Sequence, residues 1–226
     1  MLKALLTDID GTITDPTRRI STASVEAIRS LVDQGIVVVL ASGNTPCFMD
    51  ALCKMIGTKG TFIAENGGVF RIGYTGPLRI KGNLDEVKAA LETVQEHYRA
   101  KGIDLDLFSP TYRFADRAFA RTVPVEEVKE ILRDQSVQVL DTGYAIHIQS
   151  RGINKGTALA ALAKEMNLIP SDFLATGDSL NDIQMLKTAG IGATVANGHP
   201  DTKAVAQYIS EKGYGDGFVD IVKKYF

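Results

Sequence analysis

Short, near-continuously apolar runs alternate with helical patterns at both ends of this chain, and the alternation breaks down in the middle. Strands that are apolar along their whole length are buried on both faces, which requires a parallel sheet covered by helices. Residues 2–9 read as the first such strand, 22–34 as a helix, 36–41 as a strand, 46–56 as a helix and 61–65 as a strand. A small hairpin from 69–72 and 78–80 follows, around Tyr74 to Pro77. The C-terminal third resumes the pattern. Asn154 is placed to cap a helix in which Leu159, Leu162, Ala163 and Met166 keep helical spacing, and 173–176, 181–188 and 191–195 read as strand, helix and strand.

The middle reads differently. Asn83 and Glu86 form a capping-box pattern that opens a helix running to about 101, followed by strands at 103–108 and 112–121, a helix after Pro124, and strands at 137–140 and 144–149. Paired strands between single helices predict an antiparallel α+β insert with borders near Gly82 and Gly152. The expected fold is therefore α/β, a parallel sheet covered on both faces over residues 1–81 and 153–226, with an inserted α+β domain at 82–152.

Composition bounds the function. Hydrophobic residues make up 45% of the 226, enough for a sizeable core. The longest apolar run, 35–41, has the length of a buried strand and falls far short of the roughly 20 residues that cross a bilayer. The N-terminus lacks the features of a signal peptide, so the expected location is cytoplasmic. A net charge of −2 with no basic run argues against a nucleic-acid surface. Cys47 and Cys53 point to different faces of one helix and are expected to be reduced thiols.

The chemistry lies in aspartates at strand ends. Asp8-Ile9-Asp10-Gly11-Thr12 closes the first strand, where ligands of open parallel sheets bind. Two close carboxylates repel, and a hard divalent cation with oxygen ligands resolves the conflict. Gly11 permits a sharp turn, within which Thr12 is expected to hydrogen-bond. Alone, such a motif is an Asx-turn leaving a strand. A second acidic motif, Gly177-Asp178-Ser179-Leu180-Asn181-Asp182, again follows an apolar strand and precedes a helix. Helix capping accounts for one of its polar residues but not for an Asp-x-x-x-Asp pair at a second strand end. Ser42-Gly43-Asn44 places a hydroxyl and backbone N–H groups at the same edge, and Lys155 opens a helix where its ammonium and the helix terminus both favour an anion.

These four elements, in this order, resemble the haloacid-dehalogenase-like phosphatase superfamily. Its DxDGT signature stands here as Asp8, Asp10, Gly11 and Thr12, its second-motif hydroxyl as Ser42, its lysine as Lys155, and its GDxxND motif as Gly177, Asp178, Asn181 and Asp182. The resemblance implies an α/β fold with a Rossmann-like doubly wound parallel sheet core and an α+β cap domain inserted between the second and third motifs. It implies Asp8 as nucleophile, Asp10 as general acid/base, and an Mg2+ ion held by Asp8, the Asp10 backbone carbonyl and Asp178, with Asp182 as a further ligand or a partner behind it. Ser42, Gly43, Lys155 and Asn181 would bind the phosphoryl oxygens.

The substrate is expected to be a small phosphate monoester, handled by a monomer or a homodimer. Selectivity is expected in the cap. Along 112–121, Arg113, Ala115, Arg117, Phe119 and Arg121 share one face by alternation, and a cationic face carrying these arginines and His147 suits a substrate with a second anionic group. The apolar sides are expected to pack on the cap helices. The overall pattern is most similar to archaeal-type phosphoglycolate phosphatases within the Cof-type branch, although Asn44 stands where that branch commonly has arginine. Two alternatives are a sugar-phosphate phosphatase or phosphomutase relative, and a phospho-acceptor signalling module, which the insert and Asp10 disfavour.

Overall fold

The computed structural model describes residues 2–226. The chain divides into two compact units: one ends at Arg79 and resumes over Asn154–Phe226, and the other is Ile80–Ile153.

The first unit is built on one sheet. Its strands are β1 (Ala4–Asp8), β2 (Val37–Ala41), β3 (Phe62–Ala64), β4 (Val69–Arg71) and β5 (Arg79–Ile80), then β9 (Phe173–Thr176), β10 (Ile191–Thr194) and β11 (Tyr208–Ile209). Their spatial order is β11-β10-β9-β1-β2-β3-β4-β5. The six strands from β11 to β3 run parallel, and β4 turns back antiparallel to β3. The chain winds from β1 outward through β2 and β3, then returns on the other side through β9. This makes the β1/β9 boundary a topological switch point, where a doubly wound sheet opens a crevice at its carboxyl edge.

Alternation along the strands fills both faces. Ala4 and Leu6 of β1, Val39 and Ala41 of β2, Ile63 of β3 and Ala175 of β9 pack with helices α5 (Lys155–Glu165) and α6 (Ile183–Thr188). On the other face, α1 (Thr22–Asp33) lies on β2 and α2 (Pro46–Ile56) on β3, with α8 (Tyr214–Tyr225) beside α1. Helix α7 (Pro200–Val205) links β10 to β11. Each fully buried Leu, Ile or Phe in these layers contributes roughly 1.5–3 kcal/mol. Arg29 of α1 ties two helices together by donating to the last carbonyls of α2, Ile56 O at 2.8 Å and Met55 O at 3.1 Å.

The second unit holds α3 (Leu84–Arg99), β6 (Asp116–Ala120), α4 (Val125–Ile131), β7 (Val137–Asp141) and β8 (Ala145–Ser150). Its antiparallel sheet has three strands, in the order β6-β8-β7. Val87, Leu91 and Val94 of α3 and Val128 of α4 close over Phe119, Val137, Ile146 and Ile148.

Several sequence expectations fail in this unit. Residues 103–108 form no strand: only Leu107 bridges to Phe119. The Ile103, Leu105, Leu107 alternation mimics a strand, but Asp104 and Asp106 favour turns over a ladder. The strand read over 112–121 is cut to five residues because Pro110–Tyr112 forms a 3-10 turn. Asn83 caps α3 by accepting from Asp85 N and Glu86 N. Its own N–H donates to Ser150 Oγ, so the reciprocal half of the expected capping box is absent. The face carrying Phe119 is the one that meets the helices, while Tyr112 and Phe114 on the opposite alternation are exposed. His147 pairs across the ladder with Ala118, on the face of Asp116 rather than that of Arg117. No helix among the described residues is long and apolar enough to cross a membrane.

Candidate active site

Strand register assembles the site. Asp8 is the last residue of β1 and lies opposite Ala41, while Thr7 lies opposite Thr176. The residues one step beyond, Ser42 on one side and Gly177-Asp178 on the other, therefore flank Asp8 at the carboxyl edge. After Asp8 the chain curls tightly, with Ile9 O accepting from the N–H groups of Thr12, Ile13 and Thr14. Gly11 sits at φ +87°, and a Cβ there would fall 2.4 Å from Asp178 Oδ2, so only glycine lets the two loops meet. Thr12 hydrogen-bonds within the turn, as the sequence suggested, through its backbone N–H alone. Its hydroxyl donates to Asp178 Oδ1 at 3.2 Å, and it is Thr14 that accepts from Gly11 N.

Lys155, the first residue of α5, is fully buried, and its Nζ donates to Asp8 Oδ1 at 2.5 Å and Asp182 Oδ1 at 2.6 Å. The capping box of Asn154 and Thr157 fixes the helix start that aims it. Asp182 spends its other oxygen on its own loop, accepting from Asp178 N and Ser179 N at 3.0 Å each. Carboxylate oxygens of Asp8, Asp178 and Asp182 all lie within 4.8 Å of one another.

Three carboxylates thus share one ammonium in a desolvated pocket. Burial pushes the Asp8 carboxyl well above its ordinary range, and the Asp182 and Asp178 charges add to this against the opposing pull of Lys155. Burial, reinforced by Asp182, raises Asp178 to about 7. Burial alone would lower the Lys155 ammonium, but Asp182 and Asp8 hold it above its ordinary value. A surplus of buried negative charge supplied wholly by oxygen atoms fits a hard divalent cation.

The remaining expected residues occupy the same edge. Ser42 is buried, and its Oγ accepts from Asn44 N at 3.1 Å and Asn44 Nδ2 at 3.0 Å, with Gly43 half-buried between them. Asp10 is half-buried, and its carboxylate stands apart from the three-carboxylate group, with Oδ2 3.5 Å from Asn44 Nδ2. Asn181 directs its Nδ2 to Asn66 Oδ1 at 2.9 Å. Sequence reasoning missed Asn66, since an Asn-Gly pair after a strand signals only a turn. It also missed Asn197, which bridges Gly11 O and Tyr214 N; an Asn in a C-terminal loop gives no local signal for that contact.

A family model of haloacid dehalogenase-like hydrolases matches residues 5–118 and 118–222. A protein of Methanoculleus marisnigri named phosphoglycolate phosphatase is 58% identical, over 100% of this chain and 97% of that one. One of the same name from Methanospirillum hungatei is 50% identical, over 100% and 97%. Among solved structures, Thermoplasma acidophilum 0175 superposes with a TM-score of 0.88 at 29% identity, covering 99% of this chain and 98% of the other. A haloacid dehalogenase-like hydrolase from Bacteroides thetaiotaomicron shares the fold, with a TM-score of 0.83 at 21% identity over 100% of both chains.

Proposed function

We propose that this chain, which belongs to the haloacid dehalogenase-like hydrolases, hydrolyses a small phosphate monoester through a phosphorylated Asp8, with 2-phosphoglycolate as substrate. The observation that carries the reading is the convergence of Asp8, Asp178 and Asp182 on the buried Lys155. The substrate rests on the full-length likeness to archaeal proteins named for that activity.

A carboxylate attacking a phosphate dianion meets electrostatic repulsion. Lys155 offsets it from one side and stabilises charge on the equatorial oxygens in the transition state. A magnesium ion held by Asp8, the Asp10 carbonyl and Asp178, with Asp182 behind them, would supply the remaining positive charge. Asp182 serves that role by fixing Lys155 with one oxygen and the Asp178 loop with the other. Ser42 and the N–H groups of its turn, with Gly43 and Asn181, would hold the phosphoryl oxygens.

Asp8 forms the bond to phosphorus as the ester oxygen leaves, and Asp10 donates the proton that oxygen needs. Water then attacks the acyl phosphate, giving its proton to Asp10 and regenerating the Asp8 carboxylate. A group in this role contributes about 10²–10⁴-fold. Its separation from the carboxylate cluster suits the work, since a base that must trade protons with water and leaving group cannot also be locked to Lys155.

A phosphate-release screen with magnesium tests the reading. The expected result is a higher kcat/KM for 2-phosphoglycolate than for sugar phosphates or nucleotides. Preference for a sugar phosphate would overturn the substrate, and absence of release from every monoester would overturn the phosphatase.

A further inference from the structure

The antiparallel sheet of the second unit has two edges, and the chain closes only one of them. Along β6 the preceding segment runs alongside: Phe108 N donates to Ala118 O and Ala120 N to Asp106 O, both at 2.8 Å. Along β7 no strand or segment pairs with the outer side among the described residues. Register fixes which groups this leaves open. Thr142 N donates to Ala145 O and Arg151 N to Ser136 O, so Gln138 and Leu140, on the same alternation, turn their backbone groups toward β8. Val137, Val139 and Asp141 turn theirs outward. Open edges are commonly blunted by proline, lysine or a bulge, and Val137–Asp141 has none of these. The edge strands of the core sheet, β5 and β11, are each only two residues long.

Charge is distributed unevenly along this edge. Beside it lies a groove floored by Leu132, Val137 and Val139 and walled by Lys129, Arg133 and Arg151. Lys129 and Arg133 are paired with Glu126 and Glu130 of α4. Arg151 is exposed and meets no carboxylate among the described residues; its Nε donates to Val137 O at 3.0 Å and its Nη2 to Arg133 O at 2.9 Å. A cation without a counter-ion therefore stands at the Val137 end of the open edge, and the Asp141 carboxylate at the other.

Such an edge is complementary to itself. An antiparallel copy related by a two-fold axis at Val139 sets Val139 against its own counterpart and Val137 against Asp141 of the second copy. Both outward groups of Val139 are then met. Residues directly opposite share a face, so Asp141 of the second copy arrives on the side where Val137 packs, beside Arg151. The Val137 carbonyl keeps Arg151 and takes the incoming N–H on its second lone pair. A parallel copy would instead set like charges together.

We propose that this protein forms a homodimer through β7, its two three-stranded sheets joined edge to edge about a two-fold axis at Val139. Main-chain bonds supply the affinity, and the two crossed pairs of Arg151 with Asp141 fix the register.

Analytical ultracentrifugation of the full chain tests this. The wild type is expected to sediment at twice its 24.4 kDa at about 50 µM. Val139→Pro removes an N–H that the β8 ladder does not use, and should weaken the dimer about tenfold or more. Arg151→Glu and Asp141→Lys should each weaken it about three- to tenfold, and the double exchange should recover most of the loss. Cysteine crosslinking reads the register without relying on those variants. In a Cys47→Ser background, which removes the exposed thiol, Val139→Cys should form an intermolecular disulfide on mild oxidation, since opposed Cα atoms lie about 5.5 Å apart. Asp141→Cys, about 13 Å from its counterpart, should not. A wild type that stays monomeric at about 100 µM would overturn the proposal, including one that gains mass only with an added acidic peptide, which would assign the edge to a foreign strand. So would a dimer that crosslinks no better through position 139 than through 141. Phosphate release enters none of these readings, so their failure leaves the phosphatase reading standing.

Discussion

Two buried clusters of charge, one at the carboxyl edge of the core sheet and one inside the inserted unit, meet the cost of desolvation in opposite ways. At the core edge, Asp8, Asp178 and Asp182 surround Lys155, and burial together with mutual repulsion drives the Asp8 and Asp178 carboxyls upward. In the insert, Asp116 is as deeply buried, but His147 Nδ1 at 2.8 Å and Arg113 Nη1 at 2.7 Å bond its two oxygens. Burial would raise that carboxyl too, yet the His147 and Arg113 contacts outweigh it and hold it below its ordinary value. Arg117 adds its guanidinium to the carbonyls of Arg113 and Asp116. In the first cluster the surplus negative charge calls for a cation; in the second both oxygens of the one carboxylate already have protein partners. This contrast revises the cationic face expected of 112–121: Arg113 and Arg117 are buried and engaged in polar contacts, and Arg121 pairs with Asp141.

The contrast can be broken most decisively at Asp8. Asp8→Asn is expected to lower kcat by about 10⁴-fold or more while circular dichroism stays native, because a nucleophile is removed and little packing changes. Activity near wild type in rigorously purified variant would remove the covalent step. Next come the central partners of each cluster. Lys155→Met leaves three buried carboxylates without their ammonium and should cost about 3–5 kcal/mol in metal-free chemical unfolding, with part recovered on adding magnesium. Asp116→Asn strands a guanidinium and an imidazole and should cost about 3 kcal/mol, with no recovery by magnesium. Equal magnesium rescue of both variants would erase the distinction.

The clusters should also respond to pH with opposite sign. Asp178 titrates near 7 in the fold, above its unfolded value, so its contribution is complete below about 3.9 and is lost as pH rises through about 7. Magnesium relieves that loss, so its affinity should fall about tenfold per pH unit below 7 if one proton is displaced, and its thermal stabilisation should be larger at pH 8 than at pH 6. Asp116 is depressed, so its contribution is present above about 3.9 and disappears as pH falls through its lower folded value. Calorimetry of magnesium binding across pH, and acid unfolding of wild type against Asp116→Asn, check the two signs. The smallest effect should come from Arg121→Ala. Its pair with Asp141 is half exposed on the arginine side, at 52%, and should be worth about 0.2–1 kcal/mol in chemical unfolding.

The same division governs what the residues disclosed in advance. Core strands were legible because parallel strands buried on both faces must be apolar throughout, as in Phe173-Leu174-Ala175 and Val37-Val38-Val39. Once those strands are parallel neighbours, Asp8, Ser42 and Asp178 have to share an edge. The insert was less legible because antiparallel ladders leave alternation as the main signal, and alternation without pairing looks the same. Residues 103–108 carry that pattern but make a single bridge. Along β6, Arg117 shares its alternation with Phe119, and no local signal tells that the bulky ring, opposite Ile146, sets which face meets the helices. Asn66 was hidden for another reason: it meets the site only through contacts with residues 42 and 181, and Asn-Gly after a strand signals only a turn.

The contact between Gly11 and Asp178 has a historical corollary. A methyl group at position 11 would evict the carboxylate across from it, so mutation at one position is filtered by the occupant of the other. A descendant that discarded Asp178 would lose the steric half of that filter, while the left-handed backbone at φ +87° would still favour glycine at 11. Relatives that carry a bulkier side chain there should therefore be ones that have also given up or moved the carboxylate opposite, whereas glycine at 11 says nothing by itself.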